Sequence, residues 1–303
     1  MNQEKNFALP ERLRVSQRIH WERFDDNANE RFCEEFAAAG AEYLAVNTES
    51  VLRMSQDSAF LPQLATLAGR HGLRFRDAHA PWGEGWDLNE LPENCPNLAV
   101  HEEILRRLGG AGVKTYTIHP GGMVCYRRQW LGNQERIRSV AAHALERLLK
   151  TAEAAGVVIA VENVFDPAST AQEALALVHR FPSPNLGICL DCGHANLLEP
   201  CATRAVEKMV GYILDAWKPG IPVFSPGIAE LLCDEIVTVH LHDNDGLCDL
   251  HAALGTGIID WRRYSGIFAR APRLISLQSE VDPSPNVSPA EIFRNFALLR
   301  YDE

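Results

Sequence analysis

The sequence predicts an α/β fold: a (β/α)8 TIM barrel in a single domain spanning 1–303, with a longer loop at about 218–234. Three observations predict it. Short β-rich runs alternate eight times with longer helical ones in 303 residues. No G-x-G-x-x-G turn follows the first β-rich run, as a doubly wound nucleotide-binding sheet would show. No stretch of linker composition divides the chain.

The elements follow in order. The strand-like runs are 13–19, 42–47, 73–79, 114–119, 157–162, 186–191, 236–241 and 273–280. The helical runs are 28–39, 58–71, 98–111, 134–155, 170–180, 202–217, 262–270 and 288–300. The fifth strand run, VVIAVE, is apolar and mostly β-branched up to its final glutamate, as expected of a parallel strand covered on both faces. In the run 134–155, Ile137, Val140, Ala141, Ala144, Leu145, Leu148, Leu149 and Ala152 recur at helical spacing, and Gly156 stands where such a helix stops. The connection 218–234 is rich in proline and glycine; it reads as a cover over a site or as a surface excursion.

Composition narrows the function. Lys plus Arg total 29 and Asp plus Glu total 40, for a net charge of −11. That balance repels a phosphate backbone and makes nucleic acid an unlikely partner. No apolar run reaches the roughly 20 residues of a membrane span. The first residues lack the basic-then-apolar pattern of a secretory signal. Eight cysteines are scattered, and Cys189 and Cys192 have no second pair with which to close a zinc site. A cytoplasmic protein with reduced thiols is expected. The oligomeric state is not legible.

In a barrel of this kind, chemistry is built at the C-terminal ends of the strands. Strand three ends on His79 and strand four on His119. Strand five ends on Glu162, and strand six on Asp191 with His194 beyond. Strand seven delivers His240, His242 and Asp243, with Asp249 and His251 in the next loop, and strand eight ends on Glu280. Singly, each has an ordinary reading as a packed histidine, a cap or an ion pair; Asp191 and Asp243 each suit a helix cap. Together, four of these carboxylates (Glu162, Asp191, Asp249, Glu280) and five of these histidines (His79, His119, His194, His240, His251) at one barrel mouth would leave costly charge without a cation. A divalent metal resolves it, and mixed carboxylate and imidazole donors suit Mn2+, Zn2+, Co2+ or Fe2+. His242 alternates with His240 along the strand, so it is expected to pack outward. His71, His101, His143 and His179 sit in or beside helical runs and read as structural or surface. Trp82 and Trp86 read either as packing or as aromatic platforms for the apolar face of a bound ligand. Asp260 suits a cap on the last long helix, and Gly255 and Gly257 suit a tight turn before it.

With these residues in place, the chain resembles the xylose isomerase-like barrel superfamily over about residues 12 to 300. The carrying motifs are VENV, LDCGHANL, HLHDNDG, DLHAALGTGIIDW and SEVD. The superfamily includes sugar and sugar-phosphate isomerases and epimerases as well as the endonuclease IV group. The resemblance to the first group implies one divalent ion held by Glu162, Asp191, His240 and Glu280. It implies Glu162 and Glu280 as acid and base, acting on the proton next to a substrate carbonyl. His79, His119, His194 and His251 are then candidates for binding substrate. The resemblance to the second group implies three zinc ions, for which His79, His119, His194, Asp249 and His251 supply additional ligands. Ala252, where the endonucleases usually carry glutamate, and VENVF, without their Thr-Ala-Gly continuation, favour the first group, as does the negative charge. The expected function is therefore metal-dependent isomerisation or epimerisation of a sugar or sugar phosphate. Zinc-dependent hydrolysis of abasic DNA and a non-catalytic metal- or sugar-binding barrel are the alternatives.

Overall fold

The computed structural model describes residues 11–23, 25–121, 132–202, 204–281 and 288–299. Eight parallel strands pair in sequence order and close into a barrel: β1 (Val15–Ile19), β2 (Tyr43–Val46), β3 (Arg74–His79), β4 (Thr115–Ile118), β5 (Val158–Glu162), β6 (Leu186–Asp191), β7 (Ile236–Leu241) and β8 (Ser276–Ser279). Each stands where the sequence placed it. Strands β6 and β7 are buried at every residue, covered by the helical ring outside and by side chains inside. Register brings Asp191, His240 and Gln278 side by side on β6, β7 and β8, so their side chains share the inner face. Below them, buried Asp77 accepts hydroxyl hydrogen bonds from Ser16, Thr115 and Ser276, which ties β1, β3, β4 and β8 together.

Helix 134–155 buries its Ala and Leu face and ends on Gly156, whose φ of 69° is the left-handed conformation that a side chain disfavours. Asp260 caps Trp261–Arg270 by accepting from the backbone N–H groups of Arg262 and Arg263, a cap worth about 1 kcal/mol.

One helix differs from expectation. Instead of a continuous helix over 202–217, the chain forms a 3-10 turn at Val206–Lys208 and a six-residue helix at Gly211–Ala216. The helix after β6 starts at once, as Cys192–Leu198, because Asp191 accepts from His194 N and so caps it. The Arg204 guanidinium then folds back on that helix's last carbonyls, those of Asn196, Leu197 and Glu199. This forces a bend where helical composition alone would continue. Within 218–234, a short helix, Ile228–Leu232, packs on β6 and on the flanking helices Ala171–Val178, Cys192–Leu198 and Trp261–Arg270. That part of the connection belongs to the barrel's outer wall, and none of 218–234 lines the cavity described below.

Candidate metal centre

The C-terminal strand ends surround a cavity of about 130 Å3 that opens to solvent. His79, His119, Glu162, His194, Asp249, His251 and Glu280 line it, together with Arg18, Thr48, Trp82 and Phe165. Asp191 and His240 are fully buried beneath. Every site residue read from the sequence thus falls at one barrel mouth.

His240 Nδ1 is the centre of the arrangement. Glu162 Oε2 lies 3.5 Å from it, Asp191 Oδ2 3.7 Å and Glu280 Oε1 3.7 Å. These separations are too long for hydrogen bonds. Each is close to the separation of two donors on one ion, since tetrahedral bonds of about 2.1 Å place ligand atoms about 3.4 Å apart, and the trios His79, His240, Glu280 and His79, His119, Glu162 each offer buried donor atoms all within 4.8 Å of one another. Both ring nitrogens of His240 and Glu162 Oε2 are buried without a hydrogen-bond partner among the described residues. Orphaned buried polar atoms are costly unless something else satisfies them. The residues present therefore fit a divalent ion.

Two flanking groups have similar spacing. Glu162 Oε2 lies 3.2 Å from His79 Nε2 and 3.4 Å from His119 Nε2. Asp249 Oδ2 lies 3.3 Å from His194 Nε2 and 3.2 Å from His251 Nε2. His79 Nδ1 donates to Ala80 O at 2.7 Å and His194 Nδ1 to Asn163 O at 3.0 Å, which orients each ring with its Nε2 toward the cavity.

Without an ion, imidazolium balances the carboxylates. Burial pushes the Glu162 carboxyl up, but His240 and His119 outweigh it and hold the group well below the usual range. Burial is likewise outweighed at Glu280, which Arg18, His240 and His251 lower to about 2. Burial lowers His240, yet Cys189, Glu280 and Glu162 raise it well above an ordinary imidazole. The cluster is thus a set of ionised carboxylates that seek positive charge.

The sequence reading is corrected at His242. It does not pack outward from the site. Strand β7 ends at Leu241, so alternation no longer governs the next residue, and His242 Nε2 turns back to donate to Asp191 at 2.9 Å. Trp86 is likewise structural: its carbonyl accepts from His101 and its indole packs edge-on against that ring at 5.6 Å. Trp82 does line the cavity and tilts over His119 at 5.9 Å. His101 is buried and also bonds Tyr116 Oη at 2.7 Å, while His143 and His179 are exposed. His71 is partly buried and lies 3.7 Å from Glu30.

Asp191 is both a helix cap and a member of the cluster. Asp243 caps no helix; its two oxygens accept from Asn244 N, Ile259 N, Gly255 N and Trp261 Nε1, and so organise the loop that carries Asp249 and His251. Arg18, near the end of β1, is no metal-ligand type, so the pattern of candidate ligands in the sequence does not single it out. It donates to Glu280 Oε1 at 3.0 Å and to Glu280 O at 2.7 Å. Its signal is its inward position, two residues after Ser16 on β1.

Among known proteins, a sequence profile described as xylose isomerase-like TIM barrel matches residues 33–291. An uncharacterized protein, MJ1311 of Methanocaldococcus jannaschii, is 29% identical over 192 residues, spanning 60% of this chain and 56% of that protein. The structure is similar to that of 3-keto-D-glucoside 4-epimerase, YcjR, from E. coli, with a TM-score of 0.68 and 15% identity, covering 96% of this chain and 99% of that one. It is similar to D-psicose 3-epimerase with D-tagatose from Clostridium cellulolyticum H10, with a TM-score of 0.62 and 16% identity over 94% and 90% of the two chains. It is also similar to IOLI protein with a binding zinc atom, with a TM-score of 0.62 and 17% identity over 90% and 92%. Among the described residues, no helix is long and apolar enough to cross a membrane.

Proposed function

Since the chain belongs to the xylose isomerase-like TIM barrel family, we propose that it is a divalent-metal-dependent isomerase or epimerase of a sugar or sugar phosphate. The observation that carries this reading is the arc of Glu162, Asp191, His240 and Glu280 at the ends of β5 to β8, with a glutamate at each end and an open cavity above. A bound Mn2+, Zn2+, Co2+ or Fe2+ would supply a Lewis acid that acidifies the C–H bond beside a carbonyl. Glu162 and Glu280 are ionised at neutral pH, the form in which a carboxylate can accept a proton. Return by the same carboxylate to the neighbouring carbon gives isomerisation; return by the other to the opposite face gives epimerisation. His194 and His251 are placed to hold substrate hydroxyls, and Trp82 and Phe165 offer apolar wall to the ring or chain.

Incubation of metal-loaded protein with aldoses, ketoses and their phosphates in D2O tests this. Deuterium should enter next to the carbonyl with native protein and not with Glu162→Gln or Glu280→Gln. No exchange across a broad panel would refute it. A second reading, phosphodiester hydrolysis, is favoured by the two flanking donor groups, since Glu162 Oε2 and Asp249 Oδ2 each sit among imidazole nitrogens at ligand spacing. More than one tightly bound ion per chain, with chelator-sensitive cleavage of an abasic duplex and no solvent exchange, would select it.

A further inference from the structure

His242 has no part in the reading above, yet it touches both halves of the site. It is fully buried. Its Nε2 lies 2.9 Å from Asp191 Oδ2 and 3.1 Å from Oδ1, and so donates to the carboxylate of β6. The face of its ring lies flat on His251, with centroids 4.0 Å apart and planes 15° from parallel. Its Nδ1 is 3.8 Å from Asp249 Oδ1. The space it fills is kept open by Gly193, where a Cβ would lie 2.0 Å from His242 Cε1. His251 itself has a φ of 46°, a left-handed conformation that few side-chain-bearing residues adopt.

We infer that His242 is a positioning residue with two separable roles. Its N–H fixes the Asp191 carboxylate so that Oδ2 faces His240 Nδ1. Its ring is the shelf that keeps His251, and with it the loop 247–256, folded over the cavity. The first role follows from the general behaviour of groups behind a metal ligand: a hydrogen bond to the ligand sets its orientation, and its loss typically lowers metal affinity 10- to 100-fold. The second follows from the stacked ring and the left-handed backbone of His251, neither of which depends on the N–H.

This inference rests on an ion bound by Asp191 and its neighbours, as proposed above, and two variants separate its parts. His242→Phe keeps a ring on His251 and removes the donor. His242→Gln keeps an N–H for Asp191 and removes the ring. Titration calorimetry with Mn2+ and with Zn2+, and hydrogen exchange of residues 247–256, are measured on the full chain. The Phe variant should lose 10- to 100-fold in affinity while the loop stays protected. The Gln variant should bind within about threefold of native protein, while loop exchange speeds up at least about tenfold. Equal loss of both properties in both variants would reduce His242 to ordinary packing and overturn the inference, as would native behaviour in both. Native protein that binds neither ion would instead refute the metal reading and the Asp191 role with it; the shelf role is then decided by the exchange data alone.

Discussion

Replacement of Asp243 by asparagine isolates the residue that builds the loop over the site. The Asp243 side chain is fully buried and accepts four N–H groups, three of them from residues 255–261: Gly255 N at 2.9 Å, Ile259 N at 3.3 Å and Trp261 Nε1 at 3.0 Å. Oδ1 serves Asn244 and Ile259, and Oδ2 serves Gly255 and Trp261. An amide must place its NH2 at one of these positions, against two donors. Two hydrogen bonds to a charged group are then lost, at about 1.5–3 kcal/mol each, for a total of about 3–6 kcal/mol. The cost falls on local opening of the loop, because the strand pairing of β7 and β8 is untouched. Amide exchange over 255–261 should therefore accelerate about 100-fold or more, at about tenfold per 1.4 kcal/mol. Ion affinity at Glu162, Asp191, His240 and Glu280 should change by less than about threefold, since none of them lies in the loop. Unchanged exchange over 255–261 would refute the assignment of Asp243 as the loop's organiser.

Other outcomes follow from the same geometry. Gly257→Ala would place a Cβ 2.2 Å from Asp243 Oδ1 and from Asn244 O, and should cost about 1–3 kcal/mol by overpacking, read as a lowered urea midpoint. Ion affinity should rise with pH. The metal-free surroundings raise His240 well above its ordinary value, so a proton must leave before Nδ1 can bind, and affinity should gain about tenfold per pH unit for each proton displaced. Glu280, held near 2, adds no competing proton above about pH 5. Calorimetry from pH 6 to 8 checks this, and a flat affinity would contradict it.

The barrel was legible because its strands are buried on both faces and so appear as compact apolar runs, each followed by polar or ionisable residues. LGICLD and IVTVHL have the observed bounds of β6 and β7. The site was legible for a related reason: strand order carries six successive ionisable ends to one opening. What stayed hidden was local. His242 was assigned by extending alternation one residue beyond the end of β7. The helix Cys192–Leu198 is too short for a periodic signal, and its cap, Asp191, is also a cluster carboxylate. Arg18 is a cation among candidate ligands, so its pairing with Glu280 is visible only when β1 and β8 meet at barrel closure. The four aspartates between His240 and Trp261 look alike in sequence but do four different things. Asp243 organises the loop, Asp245 accepts from Leu247 N and Cys248 N in a turn, Asp249 faces the cavity, and Asp260 caps a helix.

The most direct test of the central claim is an anomalous difference map from crystals soaked with Mn2+ or Zn2+ and measured at the metal's absorption edge. The account predicts a peak within about 2.3 Å of His240 Nδ1 and of one carboxylate oxygen each from Glu162, Asp191 and Glu280. A map with no peak among these four residues, in crystals that take up the ion elsewhere, would contradict it.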